Sequence, residues 1–233
     1  MKIKYDEVIV DGELCCKINP ESKKQLLEER YKVYLELSNI PSFYRDVSFS
    51  DYQGNKSATE VTYLKKYSKN ITTEQYKDTN LYLWGENSTQ KTALACNVGK
   101  EAIRQGYFVQ FVHANILIDY LLKSQGYSIA QDKVIQKLDQ LNKADIVIID
   151  DAFDKSKTIM WKSDSKNLII AEWDTFLRGI IYEKKRLIIT SNVTPSVIEK
   201  DFNYSLYEVI NRNFKIIQCL DNITEFRKER LKR

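Results

Sequence analysis

The chain has 233 residues, of which 43% are hydrophobic, 29% charged and 12% aromatic, enough apolar material to bury a core without disulfides and far from the composition of a disordered chain. Thirty-six Lys and Arg against 32 Asp and Glu leave a net charge of +4, which permits contact with nucleic acid but is no histone-like footprint. No apolar run approaches the roughly 20 residues of a membrane span, the first residues mix acids into their apolar stretch as no signal peptide does, and Cys15, Cys16, Cys96 and Cys219 lack metal-binding spacing, so a cytoplasmic protein with reduced thiols and no membrane partner is predicted.

With three prolines and seven glycines in the whole chain, each marks a boundary with more weight than usual. A short β-prone segment at Val8–Val10 precedes Pro20. Residues 22–37 then carry Leu26, Leu27, Tyr31, Val33, Tyr34 and Leu37 among charges at helical spacing, with Ser22 as the expected N-cap. Residues 39–57 are irregular and aromatic, residues 58–69 read as a polar helix, and a soft boundary falls near residue 40. Beyond Thr79 short apolar runs alternate with amphipathic ones, the pattern of an α/β sheet. Strands are predicted at 81–84, 107–112, 146–150, 187–191 and 214–218, and helices at 91–105, 116–123, 129–142, 168–182 and 205–211. The continuous hydrophobicity of Ile146-Val147-Ile148-Ile149 suits a central strand covered on both faces.

The first of these strands runs into Gly85-Glu86-Asn87-Ser88-Thr89-Gln90-Lys91-Thr92, which meets three of the four defined positions of the phosphate-binding pattern GxxxxGK[ST]. Such a turn cradles phosphates with backbone N–H groups and a helix N-terminus, places a lysine on the β/γ oxygens and a hydroxyl on magnesium. Gly85, Ser88, Thr89, Gln90, Lys91 and Thr92 are thus candidate nucleotide contacts. Gln90 stands where glycine lets the backbone approach without Cβ strain. An apolar strand ending in Asp150-Asp151 follows, where an NTPase holds magnesium with one acid and polarises the attacking water with the next, so Thr92 and Asp150 become candidate metal ligands and Asp151 a candidate catalytic acid. The strand Leu187–Ser191 ends beside Asn192, which could reach the γ-phosphate or its water. Arg212 and Arg227 are candidates for neutralising transition-state charge on a neighbour's nucleotide, weighed against the plain reading of each as a surface arginine. His113 ends a strand and receives no catalytic role.

These residues resemble the DnaC/DnaI/IstB group of AAA+ ATPases, which comprises bacterial and phage helicase loaders and their transposon relatives. The resemblance spans roughly residues 39–228. It runs from Ile40-Pro41 and Arg45-Asp46-Val47-Ser48-Phe49 through LYLWGENSTQKTALA (Walker A), GYFVQFVHANILIDYL and ADIVIIDDAF (Walker B with a second Asp) to LIITSN (sensor 1), INRNF (arginine finger) and ITEFR (near sensor 2). Besides Gln90, the chain departs from the group at Ala152-Phe153, where a glycine often follows the Asp pair.

The resemblance implies a P-loop AAA+ three-layer α/β sandwich with a mainly parallel five-stranded sheet, in residues 41–233, behind a small N-terminal helical segment, residues 1–40, that grips a hexameric DnaB-type replicative helicase. It implies ATP and Mg2+ as cofactors, ATP-dependent self-association in a spiral or hexamer, and single-stranded DNA as a partner. Candidate DNA contacts are Lys123, Tyr127, Lys155 and Lys157, in stretches that mix cations with aromatics. An IstB-like transposition ATPase, a scaffold deficient in nucleotide binding and a small-molecule kinase are the rival readings.

Overall fold

Five apolar runs become five parallel strands because the helices that connect each strand to the next are long enough to cross back over the sheet. The structure, a computed structural model, describes residues 3–10, 13–124, 131–153 and 166–220. The strands are β3 (Asn80–Trp84), β4 (Val109–His113), β5 (Ile146–Ala152), β6 (Arg186–Ser191) and β7 (Phe214–Gln218), hydrogen-bonded in the order β4-β5-β6-β3-β7 with every pair parallel. These match the runs read from the sequence to within two residues at either end.

Helices cover both faces. One core is built from α1 (Pro20–Leu37), α3 (Thr59–Lys69) and α4 (Lys91–Arg104) against Leu81, Leu83, Ile146, Ile148 and Ile188. The other sets α5 (Ala114–Ser124), α7 (Lys166–Tyr182), α8 (Pro195–Asp201) and α9 (Tyr204–Asn213) against Tyr82, Val147, Ile149, Leu187 and Ile189. Alternate residues of one strand therefore feed opposite cores, as a pleated strand buried on both faces requires. A further helix, α6 (Gln131–Lys143), packs on α5.

The N-terminal region differs from the reading of the sequence in three ways. A second strand, β2 (Glu13–Ile18), pairs antiparallel with β1 (Tyr5–Val10); its charged ends and adjacent cysteines hid it. The helix α1 begins two residues earlier than expected, with Pro20 at its first position and the Asn19 side chain accepting from Glu21 N–H at 3.0 Å, which suits a ring that lacks the N–H the first turn cannot use. Ser22 is not the cap: it is buried, and its hydroxyl accepts from Lys4 N–H at 3.1 Å. Pro195 likewise opens α8 where the sequence suggested only a boundary.

One flank of α1 docks on the sheet domain. Tyr34 meets Phe108 edge to face at 5.8 Å, Arg104 lies over the Tyr31 ring at 4.8 Å, and the end of the helix is tied to β4 by Phe111 N–H to Ser38 O (2.7 Å) and the Gln110 amide to Leu37 O (2.7 Å). Leu26, Leu27, Val33 and Leu37 remain exposed.

Residues 41–53 are drawn onto α4 by a buried lysine. Lys100, on the third turn of α4, donates through Nζ to Tyr44 O (2.6 Å), Arg45 O (3.2 Å) and Val47 O, carbonyls around the end of the short helix α2 (Ser42–Arg45). A buried ammonium is tolerated only when such acceptors replace its hydration. Lys100→Met keeps the stem but leaves the carbonyls without this donor, and should lower unfolding stability by about 2 kcal/mol in urea denaturation; an unchanged midpoint would show that the clamp contributes nothing.

Candidate nucleotide site

The parallel sheet gathers the C-terminal ends of β3, β4, β5 and β6 at one crest, and the candidate residues stand on it: Gly85 and the loop to Thr92 after β3, His113 at the end of β4, Asp150 and Asp151 on β5, and Asn192 after β6. Ligands of open α/β sheets bind at this end.

Gly85 is required by packing, since a Cβ there would lie 2.3 Å from Cys219 O. The loop then turns through two left-handed residues, Ser88 (φ 67°) and Gln90 (φ 59°, ψ 20°), and Gln90 leads into α4. Lys91 is buried, with Nζ donating to Gly85 O (2.9 Å), Glu86 O (2.6 Å) and Thr89 Oγ1 (3.1 Å). The Thr89 hydroxyl itself donates to Glu86 O at 2.9 Å, so Thr89 shapes the loop from inside while Ser88 stays exposed.

Thr92 Oγ1 donates to Asp150 Oδ1 at 2.7 Å, and Thr190 Oγ1 donates to the same oxygen at 2.6 Å. His113 Nδ1 lies 3.3 Å from Oδ2. Asp150 is 2% exposed. Burial alone would raise its pKa; the hydrogen bonds from His113, Thr190 and Thr92 outweigh burial and hold the carboxyl below the ordinary aspartate range.

The Asp pair sits in a bulge. Ile149 pairs with Ile189 and Ala152 with Ser191, so Asp150 and Asp151 together oppose Thr190 alone, the two-against-one arrangement that re-aims side chains beside a site. Thr190 pins it, accepting from Asp151 N–H at 3.0 Å while donating to Asp150. Asp151 is left-handed (φ 56°) and half-buried. Ser191 Oγ donates to Ala152 O (2.7 Å) and accepts from Val193 N–H (3.1 Å), which fixes the turn that carries Asn192.

Both departures from the group's glycine pattern prove to be left-handed. Phe153 has φ 63° and is held by burial against Trp173 (5.1 Å) and Phe202 (5.4 Å). Gln90 is 9% exposed; among the described residues its Oε1 receives only a long contact from Gln53 N–H (3.5 Å), and Nε2 is buried with no partner.

The remaining candidates lie elsewhere. Arg212, on the last turn of α9, is exposed and paired with Glu208. It precedes Phe214, which pairs with Asn80 at the start of β3, so it stands at the opposite end of the sheet from Gly85, about 16 Å of strand away at 3.3 Å per residue. Lys123 is exposed and paired with Asp119 at 2.7 Å. Tyr127, Lys155, Lys157 and Arg227 lie outside the described residues. Two residues the sequence reading left unassigned, His113 and Thr190, touch the Asp150 carboxylate. The threonine inside an otherwise apolar strand was the available signal; the histidine's place beside Asp150 follows from strand register.

The sheet order, the loop after β3 and the Asp-Asp bulge on β5 define a P-loop ATPase fold of the AAA+ class. The chain belongs to the family of IstB-like ATP binding proteins, whose family model matches residues 20–202. None of the curated proteins matches its sequence. Among solved structures it is similar to DnaI (18% identity, 77% of this chain and 90% of that one, TM-score 0.57) and to the DnaC helicase loader (14%, 77% and 99%, TM-score 0.57). It is also similar to the replication initiator DnaA bound to AMPPCP and single-stranded DNA (18%, 83% and 56%, TM-score 0.58), of whose length it spans little more than half. At these identities the likeness is one of fold.

The left-handed conformation costs a non-glycine residue about 1–2 kcal/mol. That cost is borne by the fold whether or not nucleotide is bound, so Gln90→Gly should raise the melting temperature, and by removing a side chain from the loop that would approach the phosphates it should tighten ATP binding several-fold. Unchanged affinity would mean that the Gln90 side chain stands clear of the phosphates.

Proposed function

We propose that the chain is an ATP-driven loader that binds a hexameric DnaB-type replicative helicase and delivers it to single-stranded DNA. The observation that carries its ATPase half is the hydrogen bond from Thr92, the residue after Lys91, to a buried Asp150 whose carboxyl is held below the ordinary aspartate range. A hydroxyl and a carboxylate are hard oxygen donors that suit Mg2+, and these two residues would hold it. Mg2+, when bound, neutralises charge that builds on the phosphate oxygens.

Lys91, released from Gly85 and Glu86 carbonyls, pairs with the β/γ oxygens, and the loop amides with Ser88, Thr89 and Gln90 surround the phosphates. Asp151, turned out by the bulge, accepts the proton of the attacking water, and Asn192 orients that water from the neighbouring strand. Arg212 stands too far from its own loop to help, which supports a role on a neighbour's nucleotide and hence ATP-dependent assembly; Arg227 is a further nucleotide contact in this reading. The AMPPCP and single-stranded DNA held by the DnaA neighbour favour nucleotide and DNA as ligands here, with Lys123, Tyr127, Lys155 and Lys157 on the DNA.

For the helicase, α1 offers Leu26, Val33 and Leu37 along one face, with Leu27 exposed one turn before Tyr31 on the neighbouring flank. All four are exposed while Tyr31 and Tyr34 dock, and apolar side chains at this spacing suit a partner groove. The family match favours one rival, an IstB-like ATPase that delivers a transposase to duplex DNA. No described helix is long and apolar enough to cross a membrane.

Lys91→Ala should lose fluorescent-ATP binding, and Asp151→Asn should bind ATP but turn it over at least about a hundredfold more slowly. Arg212→Ala should be inactive alone yet recover part of its turnover when mixed with Lys91→Ala, because a mixed assembly sets an intact loop beside an intact arginine. Equal turnover of Asp151→Asn, or no recovery in mixtures that still assemble, would remove those roles.

Leu26→Glu with Val33→Glu should leave ATP binding intact and abolish co-elution with the purified host helicase. Unchanged co-elution would move the interface off α1, and co-elution with the transposase in place of the helicase would select the rival.

A further inference from the structure

The Asp150 carboxylate divides its two oxygens unequally. Oδ1 takes both hydroxyls, from Thr92 after β3 and Thr190 on β6, whereas Oδ2 faces His113 at the end of β4. The strand register sets this up: Val112 pairs with Ile149 and His113 with Asp150, so the imidazole arrives beside the carboxylate with no loop to cross. Phe111 fixes the ring, edge to face at 5.2 Å and 87°.

We propose that His113 is a positioning residue for magnesium: its Nδ1–H holds Oδ2 of Asp150 and thereby keeps Oδ1 turned toward Thr92. The inference rests on the reading of Thr92 and Asp150 as the metal's residues. A carboxylate bonded through one oxygen alone can swing about its Cβ–Cγ bond; a donor on the second oxygen from a different strand stops that rotation. Groups that orient a metal's carboxylate in this way are worth about 10–100-fold in metal affinity.

His113 is half-exposed, and with Phe111, Ile116, Tyr120 and Lys137 it lines a groove of about 210 Å³. Truncating it therefore enlarges an open groove and creates no sealed cavity. Two replacements separate positioning from bulk. Asparagine carries its amide nitrogen at the same distance along the side chain as Nδ1, and glutamine at that of Nε2.

The test is a Mg2+ titration of the full chain, read by the affinity of a fluorescent ADP analogue, for wild type, His113→Ala, His113→Asn and His113→Gln. The half-saturating Mg2+ should rise at least about tenfold in His113→Ala and His113→Gln and stay within about threefold of wild type in His113→Asn, with affinity in EDTA the same for all four. Wild-type Mg2+ dependence in His113→Ala, or equal behaviour of the asparagine and glutamine variants, overturns the proposal. Should the alanine variant fail to fold, the asparagine and glutamine pair still decides. A wild-type protein whose nucleotide affinity ignores Mg2+ would instead overturn the assignment of Thr92 and Asp150.

Discussion

A carboxylate that is 2% exposed keeps its charge only if donors replace the water it has lost, and at Asp150 those donors come from three different elements. Thr92 belongs to the first turn of α4, Thr190 to β6 and His113 to β4. Satisfying this one group therefore fixes the loop after β3 relative to both strands that flank the Asp pair or follow it. A shift of the β4–β5 or β5–β6 register would remove a donor and leave a buried charge exposed to an apolar neighbourhood, so the polar crest specifies the register as firmly as the apolar faces do.

The same crest concentrates backbone strain. Ser88, Gln90, Asp151 and Phe153 are all left-handed without being glycine, and all lie in the loop after β3 or at the end of β5. Such conformations persist where the surroundings over-determine them, and they cluster at functional sites. Here the determinants are visible: Thr190 grips the amide of Asp151, Trp173 and Phe202 enclose Phe153, and α4 begins immediately after Gln90. Gln90 and Phe153 both hold a left-handed backbone that glycine adopts without a Cβ penalty; packing does at Phe153 what absence of a Cβ does elsewhere.

This explains why the sheet was legible in the sequence and the site only in part. Strands buried on both faces read as uninterrupted apolar runs, and all five were found within two residues of their ends; Lys91, Thr92 and the Asp pair announced themselves by spacing. Thr190 and His113 did not, because their importance lies in cross-strand register, which a linear reading does not contain. The hairpin strand β2 and the helix α8 escaped for local reasons, the first through its charged ends and the second because Pro195 starts a helix as readily as it ends one.

Arg212 and the loop after β3 stand at opposite ends of the sheet. In a parallel sheet every strand begins at one end and finishes at the other, so a residue that enters β7 cannot also sit at the crest where β3 ends. The arginine and the loop are thereby held on opposite ends of one rigid layer, separated by the length of a strand that neither side-chain rotation nor hinge motion within the sheet can shorten. If Arg212 is to meet a nucleotide, that nucleotide belongs to another copy, and any surface that brings two copies together must align the start of one sheet with the crest of the next. Head-to-tail contacts of that kind are heterologous, and they close into a ring or continue as a spiral according to the rotation between copies.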